Sequence, residues 1–64
     1  MMNTGRKDMN GVSIKEMDVV NVQVGKDIDT YIVKFEEGVF VLANDNEVIE
    51  LSYFDDSKLK VMLK

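Results

Sequence analysis

The stretch Tyr31-Ile-Val-Lys-Phe-Glu-Glu-Gly-Val-Phe-Val-Leu-Ala43 decides the fold. Two runs rich in β-branched and aromatic residues flank Glu36-Glu37-Gly38, and Asn44-Asp45-Asn46 closes the far end. Runs of this kind, bounded by Gly and by Asn/Asp clusters, signal a β-hairpin. Its register depends on the turn. A two-residue type I′ turn would put Glu37 at positive φ, which residues other than Gly, Asn and Asp resist. A three-residue loop with Gly38 in the left-handed conformation avoids that cost. It predicts Phe35 opposite Val39 and Val33 opposite Val41. One face of the hairpin then carries Tyr31, Val33 and Phe35, and the second carries Ile32, Phe40 and Leu42. That second face is too apolar to be merely solvated. Either a small closed barrel bends its long strands and buries parts of both faces, or the second face meets a partner. A slip of one residue exchanges the two sets, because the side-chain period along a strand is two.

Working outward, residues 17–24 read as a strand with Val20, Val22 and Val24 on one face. Gly25-Lys26-Asp27 is a turn into a second strand over 28–35, and 39–43 is the third. Residues 47–52 form a fourth, with Ile49 and Leu51 inward, and Tyr53-Phe-Asp-Asp-Ser57 suits a single 3₁₀ turn. Leu59, Val61 and Leu63 then alternate with Lys58, Lys60, Met62 and Lys64, a half-buried strand whose cationic outer face protects an edge. Ser13-Ile-Lys-Glu16 has capping-box spacing, but the valines that follow favour a strand over a helix. Residues 1–12 are polar, lack apolar periodicity and read as a flexible arm ahead of a domain over 13–64. Five short strands with one turn before the last predict an all-β chain, a small five-stranded SH3-like barrel.

A chain of 64 residues is one domain, and a core this small buries about 60% of the surface its unfolded chain exposes. Small domains often add disulfides or structural metal, yet there are no cysteines and no histidines here. Self-association is the remaining staple. The absence of cysteine fits a reducing cytosol. No apolar run approaches the roughly 20 residues that span a bilayer, and the polar N-terminus lacks a signal-peptide core. The expectation is a soluble cytoplasmic protein with no membrane contact. Charge is unevenly spread: from Glu16 to Asp56 there are eleven acids against two lysines, Lys26 and Lys34. An acidic body repels phosphate backbones, so nucleic acid is disfavoured as a partner.

The same composition excludes most chemistry. Without His or Cys there is no triad and no thiol nucleophile. Asp27-x-Asp29, Asp45-x-Glu47 and Asp55-Asp56 do not match a calcium loop, and the four glycines are too scattered to cradle phosphate. No enzyme, metal or cofactor is expected. Tyr31 and Phe35 read as core, whereas Tyr53, beside Phe54 on a turn, reads as either a lid on the barrel end or a surface contact.

Asp18-Val-Val20, Tyr31-Ile-Val-Lys-Phe-Glu-Glu-Gly-Val-Phe40 and Leu51-Ser-Tyr-Phe-Asp-Asp-Ser-Lys-Leu-Lys-Val61 together resemble the barrel part of YopX-like proteins, small proteins of bacteriophages and prophages. The likeness spans roughly residues 14–61. Met62-Leu63-Lys64 stands where those proteins carry Ile-Gly-Asn, and the segment usual before their barrel is absent. The resemblance implies an SH3-like barrel, phage origin and hence the host-cell cytoplasm. It carries over no functional residue.

These readings converge on a non-enzymatic module that docks a protein partner, inhibition of a host or defence protein being one such role. Ile32, Phe40 and Leu42 are the expected apolar centre, with Tyr53, Glu36, Glu37, Asp55 and Asp56 as its rim. The alternative is a homo-oligomer, structural or ligand-sequestering, using the same face. A nucleic-acid binder is third.

Overall fold

The computed structural model describes residues 1–62. They form an all-β chain of seven strands: β1 (Asn3–Lys7), β2 (Ser13–Lys15), β3 (Val19–Val24), β4 (Asp27–Glu36), β5 (Val39–Ala43), β6 (Val48–Glu50) and β7 (Leu59–Val61). Two 3₁₀ turns, Leu51–Tyr53 and Asp56–Lys58, lie between β6 and β7. Five strands make one antiparallel sheet in the order β6-β5-β4-β3-β7, and β1 and β2 make a second. The larger sheet is open, with β6 and β7 as its edges.

β4 is the centre of this arrangement. Its N-terminal half, Asp27 to Ile32, pairs with β3, and its C-terminal half, Ile32 to Glu36, pairs with β5. Val20, Val22, Tyr31, Val33, Leu42, Leu59 and Val61 share the inner face and pack with Ile14 of β2 and Leu51 into the core. The alternation expected for β3, β4 and β7 is present at these positions, but Val24 and Phe35, also expected inward, are exposed because they lie at strand ends beyond the core cluster. Leu63 and Lys64, read as the end of the last strand, lie outside the described residues.

The hairpin register differs from the expected one. Phe35 faces Phe40 and Val33 faces Leu42, so the loop has two residues, with φ of 51° at Glu37 and 83° at Gly38. This is the type I′ geometry that the Glu37 side chain resists. A left-handed non-glycine residue costs about 1–2 kcal/mol. The slip moves Leu42 to the core side, where full burial of such a side chain contributes about 1.5–3 kcal/mol. It also stacks Phe35 on Phe40 at 4.9 Å between ring centroids, worth about 0.5–1.5 kcal/mol more. Packing outweighs the turn. Glu37→Asn, which suits the left-handed position, is accordingly expected to stabilise the domain by about 1 kcal/mol in a urea melt.

The N-terminal residues are not a loose arm. β1 pairs with β2, and the hairpin is tied down by polar side chains where the sequence offers no apolar pattern. Thr4 Oγ1 donates to the Ile14 carbonyl at 2.7 Å. Arg6 donates to the carbonyls of Leu51 and Phe54 and, through Nε and Nη2, to Asp56 Oδ1. Asp8 is buried: Oδ1 accepts from the N–H groups of Asn10 and Val12, and Oδ2 from Val61 N–H at 2.8 Å. Met9 N–H donates to the Leu59 carbonyl. These bonds from residues 8 and 9 cover the free edge of β7, which would otherwise be open to strand addition. The expected boundary at residue 12 falls inside this packed unit.

Candidate functional site

The outer face of the large sheet follows from the register. Val20 and Val22 point inward, so Val19 points out; cross-strand partners share a face. Val19 faces Ile32, Ile32 faces Ala43, and Ala43 faces Val48. Met62, whose N–H donates to the Val19 carbonyl, extends the line onto β7. Met62, Val19, Ile32, Ala43 and Val48 thus form one apolar row across all five strands, centred on Ile32 of the central strand. Ile32 is 38% exposed and Val48 58% exposed.

The neighbouring rows are polar. On one side Lys60, Asn21 and Thr30 are paired across β7, β3 and β4. Thr30 Oγ1 donates to Asn21 Oδ1, and Asn21 Nδ2 lies 3.0 Å from Met62 Sδ. These groups satisfy one another, so covering them costs little desolvation. On the other side Lys34, Val41 and Glu50 are paired across β4, β5 and β6, followed by Glu36 and Val39. Val41 points out yet is buried between two long charged neighbours, whose stems can shield it.

At the β3–β7 end the row opens into a groove of about 870 Å³ whose lining includes Met1, Met17, Val19 and Met62 and the polar or charged Ser13, Lys15, Asp18, Asn21 and Thr30. Met17 is backbone-strained, with φ of 75°. It occupies the third position of a turn closed by Asp18 N–H to the Lys15 carbonyl. Its N–H donates to the Val33 carbonyl while Val33 N–H donates to the Asp18 carbonyl, placing two residues opposite one. This is a β-bulge whose first residue is ordinarily glycine. A 52% exposed methionine is held there instead. Met17→Gly should relieve the strain and raise stability by about 1 kcal/mol, read as a higher melting temperature. Strained backbone of this kind gathers at functional surfaces, and methionine suits adaptable contacts.

The structure divides the expected site. Ile32 is at the centre of the exposed row, with Glu36 further along the same face of β4. Leu42 is fully buried and Phe40 packs on the core, both on the inner face, because the register is one residue away from the expected one. Glu37 is in the hairpin turn. Tyr53, 78% exposed, meets Phe54 edge-on in the 3₁₀ turn that follows β6. Asp56 is paired with Arg6 at 2.7 Å, and Asp55 precedes the second 3₁₀ turn, exposed. Sequence reading missed Val19, Ala43, Val48, Met17 and Met62. Their signal, an apolar residue on the polar side of each strand, aligns only once the register is known.

Elsewhere, Tyr31 donates its phenol proton to Glu47 Oε2 at 2.8 Å. Burial, and then the Glu47 carboxylate and the charge of Asp29, push that phenol up to about 12. The pair ties β4 to the β5–β6 turn and holds no reactive proton near neutrality. A smaller pocket of about 260 Å³ lies between Arg6, Val39, Phe40 and Glu50. Among the described residues no three acidic side chains converge as a metal site. No helix there is long and apolar enough to cross a membrane.

No family model, curated protein or solved structure matches the chain.

Proposed function

We propose that this chain is a non-catalytic protein-docking module built on a small SH3-like barrel. The reading is carried by the apolar row across the five strands, of which Ile32, Val48 and Met62 are exposed, since contiguous apolar surface of this kind often marks a contact site. The surface has an apolar centre and a rim of polar and charged groups, among them Thr30 hydrogen-bonded to Asn21, the usual anatomy of an interface. The SH3-like assignment is supported by the meander β3-β4-β5-β6, by β7 returning beside β3, and by the 3₁₀ turns before it. Resemblance to YopX-like phage and prophage proteins is what gives the module a phage-type role in the host cytoplasm, with a host or defence protein as its target. A nucleic-acid role is disfavoured by the face itself, where Lys34 and Lys60 are offset by Glu36 and Glu50.

The test uses the chain as bait in bacterial lysate mixed with a differently tagged copy of itself. A defined protein, including the tagged copy, is expected to be retained by the wild type and by Tyr53→Ala. Retention should fall at least about tenfold with Ile32→Asp, because an unpaired charge at an interface centre is strongly unfavourable. Retention that survives Ile32→Asp and is lost with Tyr53→Ala would place the contact on the turn aromatics instead.

A further inference from the structure

The two edges of the large sheet are finished differently. At β7 the chain supplies its own cover, with the Asp8 carboxylate on Val61 N–H and Met9 N–H on the Leu59 carbonyl. At β6 it supplies none. Asn44 N–H donates to the Glu47 carbonyl, so by the alternation of an antiparallel ladder the next hydrogen-bonded pair is Leu42 with Ile49. Ile49 thus spends its backbone groups on β5, while those of Val48 and Glu50 point out of the sheet. The Glu50 carbonyl begins the 3₁₀ turn Leu51–Tyr53. Val48 N–H, Val48 C=O and Glu50 N–H have no hydrogen-bond partner among the described residues. The strand is short, but it carries no proline, lysine or bulge of the kind that blunts an edge.

The surroundings of this edge carry one sign of charge. From Phe35 to Ser57 the chain holds seven acids and no lysine or arginine. Glu50 stands on the edge strand itself, Asp45 and Glu47 at its start, and Asp55 and Asp56 beyond the turn that follows it. Arg6, which reaches this segment, is already paired with Asp56, and Lys34 stands two strands inward from Glu50. A second copy of the chain would set Glu47 and Glu50 of one edge against the same carboxylates of the other. Charge complementarity therefore selects a basic occupant.

We infer that β6 accepts an additional strand, supplied by an extended segment of another protein in which basic residues alternate with apolar ones. Main-chain bonds to an open sheet edge are a recurring way of holding peptides, and alternate side chains give the selectivity. Val48 and Glu50 project on the outer face, and Ile49 packs towards the core. A strand added in the same pleat sets its basic residues beside Val48 and Glu50 and an apolar residue beside Ile49. This contact uses the backbone of β6 and is separate from the outer row, to which Val48 lends its side chain. Three main-chain bonds make a weak complex, with a dissociation constant on the order of 0.1–1 mM.

Titration of the isotope-labelled chain with a capped synthetic peptide alternating lysine and valine tests the assignment, read from backbone amide shifts by nuclear magnetic resonance. Saturable binding below about 1 mM at low salt is expected, with the largest shifts and slowed hydrogen exchange at the Val48 and Glu50 amides. The same peptide N-methylated throughout has no backbone donor and should bind at least about tenfold more weakly, as should a glutamate–valine peptide. Glu50→Pro suits the φ of −62° there and removes an outward N–H without touching the bonds to β5. It should weaken binding at least about tenfold, and Val48→Pro serves if that variant fails to fold. Glu50→Gln, which removes only the charge, should weaken it about threefold. Absence of binding below about 1 mM, undiminished binding of the N-methylated peptide, or largest shifts outside residues 47–51 overturns the added strand. Equal binding of the glutamate–valine peptide overturns the basic occupant. Val48 and Glu50 shifts that depend on protein concentration without peptide name a second copy instead and overturn it too.

Discussion

Leu42→Asp is expected to unfold the domain at 25 °C. Leu42 has no exposed surface and joins Val33, Tyr31, Leu51 and Leu59 in the core. Truncating a buried leucine alone costs about 2–5 kcal/mol through lost burial and the cavity left behind. Aspartate adds the desolvation of a carboxylate, with no buried cation among the described residues to pair with it. A domain of this size has roughly 3–10 kcal/mol of total stability, so the combined cost exceeds what most of that range can absorb. Far-UV circular dichroism should show loss of the β signal. Ile32→Asp, one position along the same hairpin ladder from Leu42's partner Val33, should leave that signal intact because Ile32 faces outward. The contrast between two apolar residues of one hairpin follows from the register alone. A folded Leu42→Asp protein would mean that Leu42 faces solvent.

Asp8→Asn has the second largest expected effect, about 2–3 kcal/mol. The carboxylate accepts three backbone N–H bonds, one of them reaching Val61 across 53 residues of chain. An amide presents one oxygen and one NH₂ group. Whichever way it turns, its NH₂ meets a backbone N–H and leaves a buried donor unpaired. The bond to Val61 and that of Met9 to Leu59 anchor the β1–β2 hairpin to the β7 edge. Breaking that anchor should increase hydrogen exchange across residues 3–15.

Asp8 also imposes a pH dependence. Burial pushes its pKa up, but the N–H groups of Val61, Val12 and Asn10, with the charge of Lys60, outweigh burial and hold it below 3.8. A carboxyl whose folded pKa is depressed contributes stability that is complete above its unfolded value. That contribution is lost as pH falls through 3.8 towards the folded value. Urea melts of the wild type should therefore weaken on acidification below about pH 5, and Asp8→Asn should remove that part of the slope.

Strand positions in the large sheet were legible because β-branched residues alternate there and Gly and Asn/Asp clusters punctuate them. Val20, Val22, Tyr31, Val33, Leu59 and Val61 could be placed inward from alternation alone. The β1–β2 hairpin was not legible. Thr4, Arg6 and Asp8 hold it through hydrogen bonds to residues 10–53 positions away, and a bond of that reach leaves no local periodicity. The hairpin register was misread because local turn cost is visible in Glu37-Gly38, whereas the burial of Leu42 and the pairing of Phe35 with Phe40 appear only in three dimensions. The candidate site inherited that error: one slipped residue moves Phe40 and Leu42 inward and leaves Ile32 as the centre of the outer row. Met17 shows the same limit, since nothing near it in sequence announces a left-handed methionine.

The register that the Glu37-Gly38 turn sets decides which apolar residues face out. Cross-strand Hα–Hα contacts in a nuclear Overhauser spectrum read it directly, since Cα atoms of non-hydrogen-bonded antiparallel pairs approach to about 4.5 Å. Strong cross-peaks are predicted between Phe35 and Phe40 and between Val33 and Leu42. Strong cross-peaks joining Lys34 to Phe40 and Ile32 to Leu42 would contradict it, returning Leu42 to the face of Ile32 and removing the basis for the outer row.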